Sequence, residues 1–213
     1  MRPYSTNQIA PPSVMKLLSI LFLFSTLSPG CKKLPSTQME YIDYVEDMNN
    51  QYIQSMKYGS LEFSSFYKPP SYLILQDYRD ELGTNDMVLT RKNPYENWLT
   101  FTFRIRTENG QHPLDFMNKD KYDYFKKLEY YINAEKDFLL VTNNTNDTLN
   151  CQQYHMERNY GAAPYLNLNV AFSRSELKNK EFSLLYFDRV FNQDWIEFHY
   201  NDHETDELLE NIL

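Results

Sequence analysis

The run Leu166-Asn167-Leu168-Asn169-Val170-Ala171-Phe172 puts four apolar side chains on one face of an extended chain, with Asn167, Asn169 and Ala171 on the other. Side chains alternate along a strand, so a period of two with one wet face marks an antiparallel sheet packed on a core from one side. Phe101-Thr102-Phe103-Arg104-Ile105-Arg106 repeats the pattern and is followed by Asn109-Gly110, a turn pair. Trp195-Ile196-Glu197-Phe198-His199-Tyr200 repeats it again, with Trp195 out of phase with the apolar face and therefore expected in solvent. Residues 182–187 are apolar apart from Ser183 and fit a central strand, joined by a loop over 188–194 to the Trp195 strand as a hairpin. Residues 61–64 and 138–142 are further strand candidates.

Helical signals are fewer. Tyr124, Leu128 and Tyr131 share a helical face, with Phe125 and Ile132 beside them and Asp120 or Asp123 as the starting cap. Residues 70–78 fit a buried helix or a strand, and Pro70, which suits a first turn, favours the helix. Asp202 or Thr205 starts a short acidic helix near the end of the sequence. The sum is a mainly β chain: an antiparallel β-sandwich, immunoglobulin-like or related, with one to three short inserted helices, and α+β as the alternative. No repeat and no compositional break divides it, so residues 61–213 are expected to form a single globular domain.

The 213 residues carry 21 basic and 29 acidic side chains, a formal charge of −8. Residues 1–30 hold only Arg2 and Lys16 and no acid, so the rest stands at −10. A body this acidic argues against a general nucleic-acid binder. Five glycines, none in a phosphate-binding pattern, argue against a nucleotide fold.

From Met15 the sequence reads Met15-Lys16-Leu17-Leu18-Ser19-Ile20-Leu21-Phe22-Leu23-Phe24-Ser25-Thr26-Leu27-Ser28-Pro29-Gly30-Cys31. One positive charge, a short apolar run and small residues before a cysteine are the three regions of an export signal. The apolar run falls short of the roughly 20 residues a spanning helix needs. Leu27-Ser28-Pro29-Gly30-Cys31 resembles a bacterial lipobox, although Pro29 departs from the commonest pattern. That resemblance implies a signal peptide over 1–30, cleavage before Cys31, and lipid on the Cys31 sulfur and new amino terminus. Residues 1–14 lack signal logic, which suggests a start at Met15. Residues 31–60 then form the lipidated cysteine and a tether, about ten residues of spacer followed by a loosely patterned helix or loop around Met39 to Met56.

Beyond the anchor, the stretches Tyr41-Ile42-Asp43-Tyr44-Val45-Glu46-Asp47 and Leu61-Glu62-Phe63-Ser64-Ser65-Phe66-Tyr67-Lys68-Pro69-Pro70 look similar to lipoproteins of Bacteroidota, as do Tyr72-Leu73-Ile74-Leu75-Gln76 and Leu185-Tyr186-Phe187-Asp188-Arg189-Val190-Phe191. The resemblance implies a cell-envelope protein held to a membrane by lipid, and it brings no catalytic residues.

Motifs for chemistry are sparse. His199, Asp202 and His203 have metal-compatible side chains, but a solvated acidic tail explains them as well, and no metal or other cofactor is expected. Cys151 and His155 lack the orienting third group of a nucleophilic pair, so Cys151 reads as a structural thiol. No His-Glu-x-x-His and no Gly-x-Ser-x-Gly is present. Asn143 and Asn146 begin Asn-x-Thr sequons in a polar loop. Asp147-Thr148-Leu149 resembles the short O-glycosylation motif of exported Bacteroidota proteins, which marks Thr148. Trp98 and Trp195 are the best single candidates for a surface binding site. The expected role is a non-catalytic binding or assembly module whose partner is an envelope protein or a glycan. A hydrolase of carbohydrate or peptide and a structural envelope protein are the alternatives.

Overall fold

A computed structural model describes residues 35–77, 95–142, 147–159, 162–177 and 181–201. The signal segment, Cys31, Asn143, Asn146, Asp202, His203 and the expected acidic helix lie outside them. The chain begins with α1 (Gln38–Glu46), the hairpin β1 (Ile53–Tyr58) and β2 (Leu61–Lys68), and α2 (Pro70–Asp77). β3 (Trp98–Thr107) and α3 (Lys121–Ile132) follow, then β4 (Phe138–Thr142), β5 (Thr148–Asn150) and β6 (Gln153–Met156). β7 (Tyr165–Ser173), β8 (Glu181–Asp188) and β9 (Asp194–Asn201) complete the described elements.

The protein is mainly β. Its strands form two sheets, ordered β1-β2-β3-β7-β6 and β5-β4-β8-β9, with every neighbouring pair antiparallel. The alternating runs β3 and β7 pair inside the first sheet and the alternating β9 forms an edge of the second, while the continuous apolar run of β8 lies between β4 and β9.

The sheets pack face to face as a sandwich, and the contact is largely aromatic. Phe103 of the first sheet lies 4.7 Å from Tyr186 and 5.3 Å from Phe138 of the second, by ring centroids. Phe101 stands 5.4 Å from Tyr200, and Tyr67 stands 5.5 Å from Phe182. All seven rings are buried. Such tilted and edge-on pairs each add about 0.5–1.5 kcal/mol beyond the area they bury. The aromatic richness of the sequence is thus spent first on the core.

Local chemistry explains the element ends. Asp120 caps α3, accepting from the backbone N–H of Tyr122 at 2.7 Å and of Asp123 at 3.1 Å. Asp123 answers by accepting from Lys119 N at 2.9 Å. The β1–β2 hairpin turns through Gly59-Ser60, with Gly59 at φ 58°, where a Cβ would strain the backbone.

Two expectations change. Of the tether expected over 31–60, α1 and β1 belong to the folded body, because Tyr41, Ile42 and Val45 are buried in the core and β1 is hydrogen-bonded into the first sheet. On α3, Tyr131 is buried and Tyr124 and Leu128 pack on the core, but Phe125 and Ile132 point outward at 60% and 40% exposure. The core contacts only the narrower stripe of that helix.

Both sides of the sandwich are bridged. On one side the Gln54 side chain of β1 grips β9 by its main chain: Oε1 accepts from His199 N at 3.2 Å and Nε2 donates to His199 O. Tyr200 adds a hydrogen bond from its hydroxyl to Ser65 O at 2.9 Å. On the other side the chain itself crosses from β5 to β6 through Cys151 and Gln152, with Gln152 N donating to Ala171 O at 3.0 Å.

Candidate binding groove

The outward face of the five-stranded sheet carries the wet half of each alternating run. Register places Phe66, Thr102, Asn169 and His155 in one cross-strand row and Ser64, Arg104 and Asn167 in the next. Helix α2 lies over part of this face. Its Tyr72 ring packs 5.4 Å from Phe66, and its Asp77 accepts a hydrogen bond from Tyr95. α1 holds α2 in place: the Tyr41 and Ser71 hydroxyls are 2.6 Å apart, and Tyr72 donates to Glu46 Oε1 at 2.7 Å.

Two adjoining cavities result, both lined by Asn169. One, of about 380 Å³, is walled by Leu73, Tyr95 and Trp98 over a floor of Thr100, His155 and Asn169. The other, of about 300 Å³, is bounded by Phe66, Tyr72, Lys68, Arg104, Asn167 and Glu157. Together they make a groove with aromatic walls and a polar floor, the combination small-ligand sites use to gain area and fix orientation.

The floor is ordered by its own hydrogen bonds. Thr102 Oγ1 donates to Asn169 Oδ1 at 2.6 Å, Arg104 Nε to Asn167 Oδ1 at 2.8 Å, and Asn167 Nδ2 to Glu157 Oε2 at 2.7 Å. The Arg104 guanidinium also lies over the Tyr165 ring, 4.1 Å from its centroid. Burial lowers the pKa of Arg104, and the neighbouring charge of Arg106 acts in the same direction. Burial likewise lowers Lys68; Arg104 adds to this, and Glu157 and Glu46 oppose it.

Trp98 lines this groove and is half-buried. Trp195 sits on the other sheet at 47% exposure, its ring 5.0 Å from Phe187, so the two tryptophans do not share a site. Thr148 is exposed on β5. His199 is exposed, with Nδ1 2.8 Å from Ser183 Oγ and 3.6 Å from Glu197. No cluster of three or more metal-ligating side chains occurs among the described residues. The Cys151 thiol donates to Gln153 O at 3.1 Å and packs toward the core, while His155 belongs to the groove.

Sequence reasoning passed over Lys68, Arg104, Asn167 and Asn169 as a site. Their wet-face positions were readable from the alternation, but the β3–β7 register that sets Arg104 beside Asn167 was not.

Two larger hollows lie elsewhere. One of about 540 Å³ lies between α3 and the 112–115 turn, where His112 Nδ1 accepts from Leu114 N at 3.2 Å and its buried Nε2 has no hydrogen-bond partner among the described residues. Burial lowers the pKa of that imidazole, which favours its neutral form. In the second, of about 560 Å³, Lys127 donates to Phe116 O.

The chain matches no protein-family model, no curated protein and no solved structure with which it was compared. Among the described residues no helix is long and apolar enough to cross a membrane.

Proposed function

We propose that the protein is a cell-envelope lipoprotein, anchored through lipid on Cys31, whose body acts by binding a glycan along the groove under α2. The observation that carries the reading is the groove itself: amide and hydroxyl groups fixed on a flat sheet, flanked by Trp98, Tyr95 and Tyr72. Sugars present hydroxyls in one plane and C–H groups on a face, so rigid amides beside aromatic rings satisfy both. Glu157 is the one carboxylate among the described lining residues and already accepts from Asn167, whereas glycoside hydrolysis ordinarily needs two free carboxyl groups. Binding is therefore favoured over hydrolysis.

The chain has two tryptophans, so Trp195→Phe leaves Trp98 as the single indole reporter in the groove. Full-length protein of that background, held in detergent, is titrated with neutral and acidic oligosaccharides. A saturable change in Trp98 fluorescence is expected, and Asn169→Ala should weaken binding by about tenfold, the cost of roughly one good hydrogen bond. If no oligosaccharide perturbs Trp98, the glycan reading fails. For the anchor, Cys31→Ser should move the protein from the detergent phase to the aqueous phase; unchanged partitioning would overturn it.

A further inference from the structure

Resting on that reading, we propose that Lys68 and Arg104 form an anion subsite within the groove, and that the bound glycan is acidic, presenting a uronic-acid carboxylate to these two cations. Both side chains line the same cavity of about 300 Å³. Arg104 is held from two sides, by the Nε bond to Asn167 and by the Tyr165 ring, and both constraints leave its two terminal NH₂ groups without a partner among the described residues. A guanidinium so oriented offers a fork that matches a carboxylate with two parallel hydrogen bonds. Lys68 Nζ lies 5.7 Å from the Phe66 ring centroid and makes no hydrogen bond or ion pair with any described residue.

The nearby carboxylates, Glu157 in the cavity lining and Glu46 behind Tyr72, do not neutralise these cations by contact. Glu157 takes its hydrogen bond from the neutral Asn167 amide, and Glu46 takes its own from the neutral Tyr72 hydroxyl. For Lys68 the loss of solvation and the charge of Arg104 together outweigh the field of Glu157 and Glu46, so the ammonium is electrostatically under-satisfied. A ligand carboxylate supplies what is missing. A peptide carboxylate has the same charge, but the rows of side-chain amides and hydroxyls on the floor suit the many hydroxyls of a sugar better than a peptide's spaced backbone.

The test uses full-length Trp195→Phe protein in detergent and oligomers of galacturonate, glucuronate and mannuronate, each beside its methyl ester, which keeps the sugar and removes the charge. At least one acid should bind about tenfold more tightly than its ester, and added salt should shrink the gap. Arg104→Gln and, separately, Lys68→Met should bring the acid-to-ester affinity ratio, measured within each variant, down toward one whatever either change does to overall affinity, with far-UV circular dichroism checking the fold. Esters that bind as well as their acids overturn the anion subsite and leave the glycan reading standing. Binding of a tetraglutamate peptide in preference to every saccharide, or no saccharide binding at all, overturns both.

Discussion

Asn167 and Asn169 stand on the wet face of β7, where a strand ordinarily shows Thr, Lys or Glu to water, and each spends its side-chain oxygen on β3. Asn167 gives an amide N–H in turn to Glu157, and these bonds turn a polar surface into a fixed one. Cys151 shows the opposite use of a polar atom. Burial pushes its thiol up from 9.0 to about 11, so at pH 8 about one in a thousand is ionised. A disulfide reagent should therefore label native protein slowly at pH 8, faster as pH approaches 11, and at once in denaturant; fast native labelling would contradict the burial. The linkage has a definite sign. The folded state holds its proton above the pH at which the unfolded thiol loses it, so this group's contribution lowers stability as pH rises from about 9 to about 11. Comparing urea midpoints of the native chain and Cys151→Ala across that window would show the slope weaken in the variant.

The elements were legible where their period was clean. β3, β7 and β9 follow their alternation, β8 its continuous apolar run, and α3 its cap. Asp120→Ala should cost about 1 kcal/mol in urea unfolding, since two backbone donors of α3 lose their acceptor. β1 was not legible, and the reason is Gln54: it occupies an inward position in phase with Met56 and Tyr58, so the apolar period breaks at the residue that joins the sheets. β5 and β6, with 3 and 4 residues, are too short for any period to show. The groove was legible in its parts, as Trp98 and the wet-face polar residues. Its assembly depends on α2 folding back over the sheet, a long-range event that no local pattern records.

At the scale of the whole molecule, the sandwich class followed from alternation, whereas the order of strands did not, since the chain passes between the sheets at β3–β4, β5–β6 and β7–β8. Bridging the sides matters for solubility, because an open strand edge pairs with other chains. Gln54→Ala should free the β1 and β9 edges and give concentration-dependent association by light scattering, with the monomer persisting in the native chain. The same contact bears on mechanics. Under the proposed anchor, any drag on the body enters through the N-terminal side, first at α1 and then at β1, an edge strand that would peel one hydrogen bond at a time. The α1–α2 hydrogen bonds at Tyr41 and Glu46 and the Gln54 grip on β9 lie in series along that load path. Force arriving at the leash is thereby spread into both sheets before the first strand can unzip.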